Sequence, residues 1–138
     1  MTITYAFEAD LAVDDFLVIL HSSTLAERRP IDDPARLQKM LDGADLILTA
    51  RNEDGKIVGV ARAVTDFSYC CYLSDLAVDQ DLQGQGIGRE LMKRVRAHVG
   101  QEVTFVLMSA PAAMSYYPQV GLDKFENCFG LKRPWPKD

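Results

Sequence analysis

"DLAVDQDLQGQGIGRELMKRV" (Asp75–Val95) sets three glycines, Gly84, Gly86 and Gly88, between an apolar run and a charged amphipathic one. Glycine loses the most backbone entropy on folding, so a cluster marks a place where the chain curves sharply or lets a ligand approach closely. Ahead of the cluster, "YCCYLSDLAV" (Tyr69–Val78) is apolar on both alternating faces for most of its length. That pattern predicts a strand covered on both sides, at the centre of a sheet. Behind it, Ile87, Leu91, Val95 and Val99 recur at four-residue steps and Gly100 ends the pattern, which predicts a helix. Unpaired N–H groups at such a helix N-terminus, with no Cβ atoms in the way, form a general anion-binding recipe.

The rest of the chain divides into short elements. "ITYAF" (Ile3–Phe7) reads as a strand and Val13–Leu20 as a helix, with Asp14 and Asp15 in its early turn. Asp33 caps a second helix with Pro34 at its first position and Gly43 at its stop. Leu46–Ala50 and Lys56–Val64 are strands joined through Asp54-Gly55, a hairpin signal. Val103–Ser109 reads as a buried strand, Pro111–Val120 as a short helix broken near Pro118, and "GLDKFENCFGL" (Gly121–Leu131) as a final strand. With no repeat or linker, the 138 residues are read as a single domain, 1–138.

Composition narrows the function. Hydrophobic residues at 48% and charged residues at 25% are ordinary for a globular chain. A formal net charge of −5 argues against a nucleic-acid partner. No apolar run reaches the roughly 18 residues of a membrane span, and "MTITYAFEAD" lacks the features of a signal peptide, so the expected location is cytoplasmic, with no membrane partner. Cys70, Cys71 and Cys128 do not have the number or spacing of a disulfide framework or a zinc site; they read mainly as small core hydrophobes, and no metal is expected.

Two common phosphate motifs fail on the residues present. A P-loop needs Gly-Lys followed by Ser or Thr, whereas the glycines are followed by Gln85, Ile87 and Arg89; a dinucleotide fingerprint would put Arg89 or Leu91 where its last glycine belongs. What fits is Q-x-x-G-x-G, spelled by Gln83, Gly86 and Gly88, after "LAV" and before an amphipathic helix. This resembles the acetyl-CoA loop of the GNAT superfamily of N-acetyltransferases. The element order and the later "YYPQVGL" are also similar, so the likeness covers nearly the whole chain.

The resemblance implies a mixed α/β fold: a mostly antiparallel twisted sheet of six to seven strands, about four flanking helices, and a splay between strands four and five. It implies acetyl-CoA as cosubstrate, with Leu76, Ala77 and Val78 offering main-chain groups to pantetheine. Gln83, Gly84, Gln85, Gly86, Ile87, Gly88 and Arg89 would hold the pyrophosphate. Arg89 fits this, since a cation in a helix's first turn opposes the dipole unless an anion is near; a salt bridge to Asp79 or Asp81 is the competing reading. Tyr117 matches the tyrosine of the family's Y-x-x-x-G-F segment, where the hydroxyl protonates the leaving thiolate. Tyr116 is its neighbour and rival. Where many members carry Asn, seven residues before that tyrosine, this chain has Ala110, so one expected cofactor contact is missing.

The general base is open on the residues alone. Asp75 interrupts an apolar strand and is read as a catalytic carboxylate or as the partner of a backbone group or Arg62; Glu27 and His21 are the other candidates. On the acceptor side the fold implies the segment "HSSTLAERRPIDD", with Glu27 and Arg28 as substrate-binding residues and Arg29, Asp32 and Asp33 nearby. That mixed set suits a small amine, a carboxylate-bearing amine or a peptide terminus, and net acidity favours a cation. A homodimer is a partner reading carried by the family alone. Two rival functions remain: a non-catalytic acyl-CoA sensor, and an enzyme with Cys70 or Cys71 as nucleophile and His21 or His98 as base.

Overall fold

The computed structural model describes residues 1–137, in two compact units, Met1–Met108 and a second from Ser109 onward. In the first unit the strands are β1 (Thr4–Phe7), β2 (Leu46–Arg51), β3 (Ile57–Thr65), β4 (Cys70–Val78) and β5 (Thr104–Leu107), and they form one sheet in chain order. The first four pair antiparallel; β5 returns through the helix after β4 and pairs with it in parallel. Its helices are α1 (Val13–Ser22), α2 (Pro34–Asp42) and α3 (Ile87–Val99), and α4 (Tyr116–Gln119) lies in the second unit.

Alternation along the strands sorts the helices onto opposite faces. Ile47, Val60 and Ala77 point to one face, where they join Phe16, Ile19 and Leu20 of α1 and Leu37 and Leu41 of α2 in the main core. The next residue along β3, Gly59, points to the other face, where a Cβ would come within 3.1 Å of Ile87 and Leu91 side-chain atoms and 3.2 Å of the Ala50 Cβ. Gly59 therefore lets α3 lie close against β2 and β3, which fixes where α3 begins. The α2 cap forms as expected, with the Asp33 carboxylate accepting from the Arg36 N–H at 3.1 Å.

Three expectations need correcting. The centre of the sheet is β3, buried at every position but Val64, whereas β4 alternates between buried and half-buried. The described residues contain five strands, not six to seven. Gly121–Leu131 forms no strand: its apolar residues Leu122, Phe125, Cys128 and Leu131 come every third position, which cannot line one face of a period-two strand, and only Leu122 is partly covered. No helix among the described residues is long and apolar enough to cross a membrane.

The β3–β4 turn is held by one carboxylate. Asp66 Oδ1 accepts from the N–H groups of Ser68, Tyr69 and Cys70 at 2.9, 2.7 and 3.1 Å, and these bonds hold its pKa down to about 2. A lowered carboxylate pKa stabilises the fold above the unfolded value of 3.8, and that contribution is lost as pH falls towards about 2. A carboxyl-carbon NMR titration is expected to give Asp66 a midpoint near 2; a midpoint near 3.8 would mean that the turn bonds do not form in solution.

Candidate active site

The site begins with a mismatch of strand lengths. The β4–β5 ladder runs from Cys70↔Thr104 to Leu73↔Leu107, where β5 ends, while β4 continues to Val78. At that point β4 also carries a bulge: Arg62 pairs with Asp75 and Ala63 with Leu73, leaving Ser74 as the extra residue. Beyond the bulge the Asp79 N–H donates to the Val58 carbonyl at 2.9 Å, so by alternation Ala77 and Asp75 also turn their main-chain groups to β3. Leu76 and Val78 turn theirs the other way, where no strand among the described residues meets them. The last residues of β4 thus continue beyond β5, which ends at Leu107.

The glycine junction follows at once. Asp79 ends β4 with its carboxylate accepting from the Asp81 N–H at 2.9 Å, and a 3₁₀ turn, Gln80–Leu82, leads to Gln83, whose Nε2 donates a long bond of 3.4 Å to the Val78 carbonyl. Gly84 and Gly86 take φ of +82° and +86°, and a Cβ at either would meet nothing within 4 Å. Glycine is thus required for backbone shape, not for lack of room, and the space above both is open. Gly86 starts α3 without a side-chain cap; the first intrahelical bond is Glu90 N–H to the Gly86 carbonyl at 3.0 Å. The N–H groups of Ile87, Gly88 and Arg89 therefore lie ahead of the ladder, and the positive end of a 13-residue helix is bare.

Side chains at this junction separate by role. Gln83, Gln85 and Arg89 are exposed, while Ile87 is buried beneath α3 and can offer only its backbone. Arg89 makes no ion pair among the described residues, and Asp79 is occupied with Asp81, so the competing salt bridge to either is absent. An unpaired cation, free amides and open space fit the pyrophosphate of acetyl-CoA, and the free edge at Leu76 and Val78 fits an amide-bearing chain such as pantetheine.

On the opposite side of β4 lies a cluster that periodicity does not reveal. Asp75 is fully buried, and both carboxylate oxygens accept from guanidinium groups: Oδ1 from Arg29 Nε at 2.6 Å and Oδ2 from Arg62 Nε. Arg29 Nη2 also donates to the Ser74 carbonyl at 2.8 Å, and Arg62 Nη2 to the Ser74 hydroxyl at 3.1 Å. The bulge and the carboxylate are clamped together. Glu27 and Arg28, the expected acceptor contacts, are exposed on the 3₁₀ turn Leu25–Arg28 immediately before Arg29, and His21 is exposed on α1.

The remaining candidates fare unevenly. In the second unit Tyr117 is half-buried on α4 with the Tyr116 ring set edge-on at 5.2 Å; burial, then the neighbouring phenol, push its pKa above the usual 10, so it stays protonated at neutral pH. Cys71 is buried and its thiol pushed up by desolvation, an inert setting for a nucleophile, while Cys70 and Cys128 are exposed and so are not core residues. His98 stacks on Phe7 at 4.4 Å at the far end of α3. A surface groove of about 570 Å³ also lies along that far half, lined by Lys93, Arg96, Val103 and Phe105 among others, and includes none of the expected site residues.

Comparison with known proteins bears on the family and the fold. A sequence model of the acetyltransferase (GNAT) domain matches residues 24–129. A chloroplastic GCN5-related N-acetyltransferase of Arabidopsis thaliana is 28% identical over 75 residues, 53% of this chain and 29% of that one. Among solved structures, a GNAT-family acetyltransferase from Streptococcus pneumoniae superposes with a TM-score of 0.71 at 22% identity over 99% of this chain and 98% of the other. An aminoglycoside acetyltransferase from an uncultured soil metagenomic sample, solved with sisomicin, gives 0.70 at 21% identity over 94% of each. The matches span 29 to 46% of the length of the first curated relatives.

Asp75→Asn keeps the shape and removes the charge, leaving two guanidinium groups against a neutral amide. A loss of about 3 kcal/mol in urea unfolding is expected, the scale for breaking a buried ion pair. A midpoint unchanged from wild type would show that the clamp carries no stability.

Proposed function

The chain belongs to the GNAT family of acetyltransferases, and we propose that it moves an acetyl group from acetyl-CoA to a primary amine of a small molecule or peptide terminus. The observation that carries this reading is the bare N-terminus of α3, with Gly84 and Gly86 open above it, directly after a free strand edge at Leu76–Val78. Small-molecule recognition is known for the relative solved with sisomicin. The reading treats residues 1–138 as one catalytic domain.

When bound, acetyl-CoA supplies a thioester carbonyl carbon that a neutral amine attacks, the C–N bond forming as the C–S bond breaks. The protein's residues bind, orient and move protons around that event. The amides of Gly86 to Arg89, with the Arg89 guanidinium, hold the pyrophosphate. The outward groups of Leu76 and Val78 align the pantetheine, and the Val78 N–H donates to the carbonyl oxygen as negative charge develops there. The resemblance of its motif makes Tyr117 the candidate proton donor to the departing sulfur, and burial keeps its phenol protonated at neutral pH. The amine proton leaves to solvent or to the exposed carboxylate of Glu27. Asp75, with both oxygens held by arginines, is assigned the task of fixing the bulge rather than taking a proton.

Calorimetry with acetyl-CoA and a thiol-release assay over an amine panel test this together. The wild type is expected to bind and turn over, and Tyr117→Phe to bind equally while kcat falls about 100-fold. Because burial raises the phenol pKa, any alkaline limb due to Tyr117 should lie above about pH 10 and vanish in the variant. Binding without transfer to any amine would favour the sensor; no binding by the folded protein would remove the reading altogether.

A further inference from the structure

The clamp around Asp75 holds more positive than negative charge. Two guanidinium groups share one carboxylate, so the trio carries a formal excess of one positive charge, and no other carboxylate ion-pairs with either arginine among the described residues. Excess charge taken out of water calls for an anion or an opening to solvent. Arg62 has no such opening: its side chain is 8% exposed, and it donates to Asp75, to the Ser74 hydroxyl and to the Met40 carbonyl at 3.3 Å. Arg29 is different. Its side chain is 20% exposed, and of the five N–H groups of a guanidinium only three are engaged, by Asp75, Ser74 and the Arg28 carbonyl.

Position gives this charge a use. Arg29 Nη2 bonds the carbonyl of Ser74, the first residue of β4 beyond its last pair with β5, so the guanidinium is tied to the strand at the point where that pairing stops. The turn that delivers it begins at Thr24, a β-branched residue at φ +70°, against its steric preference. Asp75 and Ser74 then fix the plane of the guanidinium. A planar fork held on two sides with a partly open edge suits a carboxylate, which takes parallel N–H bonds from such a group.

We propose that Arg29 receives the carboxylate of the acceptor, so that the substrate class is an amine that also carries a carboxylate, such as an amino acid. This rests on the acetyl-transfer reading above and narrows its acceptor. The net charge of −5 steers cations from a distance, yet at contact the local charge governs, because fields are screened over about 8 Å at physiological salt. Asp75 is a positioning residue in this account: it orients Arg29 and touches no substrate.

The test uses the full chain and four amino carboxylates, β-alanine, 4-aminobutyrate, L-methionine and L-phenylalanine, each against its carboxamide at equal concentrations of neutral amine. Acetyl-CoA binding is first established by calorimetry. Wild type is expected to favour the carboxylate members at least about tenfold in kcat/KM, through KM. In Arg29→Gln the acid-to-amide ratio should fall towards one, with acetyl-CoA affinity retained, and Arg29→Lys should restore part of it. Equal or better use of the carboxamides, or no transfer to any carboxylate probe by protein that binds acetyl-CoA, overturns the inference while leaving the cosubstrate reading standing. Failure to bind acetyl-CoA removes both. Should Arg29→Gln not fold, the wild-type preference between acids and amides decides the matter alone.

Discussion

A backbone N–H withdrawn from water needs an acceptor, and β4 carries its chain five residues past the last pairing that β5 provides. In an ordinary sheet those groups would find another strand. Here the overrun from Ser74 to Val78 presents main-chain donors and acceptors at the C-terminal end of the strand, next to the start of α3. The two features depend on each other. Gly59 lets α3 settle close against β2 and β3, and the positive φ at Gly84 and Gly86 turns the chain from strand to helix in a few residues. Strand edge and helix terminus thereby become parts of one surface.

The opposite side of the same strand explains why the overrun does not collapse. Ser74 is inserted as a bulge, and a bulge alone is a weak point in a ladder. Arg62, reaching across from β3, and Arg29, arriving from a distant turn, both close on Asp75 and on Ser74 itself. Breaking such an arrangement strands buried charge, which makes it stiff even where it adds little net stability. One carboxylate thus ties the free strand edge to the segment that carries Glu27 and Arg28.

Much of this was legible in the residues, and the failures have physical causes. The apolar stripe Ile87, Leu91, Val95, Val99 and the cap at Asp33 are local signals, and both elements form where expected. The glycines at 84 and 86 read as either a sharp curve or a close ligand approach, and their positive φ shows the first. The rank of β4 and β3 in the sheet was inverted because a half-buried strand that packs small residues such as Ala77 looks as apolar as a central one. The last strand was misread from hydrophobic content without regard to its period of three. The bulge leaves no mark on composition, since shifting a register by one residue changes nothing that can be counted. Arg62 was named as a partner of Asp75, but Arg29 lies 46 residues away and joins it only through the tertiary fold.

The central claim is that the free edge of β4 and the bare start of α3 together hold the cosubstrate. Titrating acetyl-CoA into ¹⁵N-labelled protein and following backbone amides measures this most directly. The account predicts that Leu76, Val78 and the amides from Gly84 to Arg89 shift together along one binding curve, while Ser68, in the β3–β4 turn at the opposite end of β4, does not move. Saturable binding that leaves Leu76, Val78 and the α3 start unmoved would contradict it.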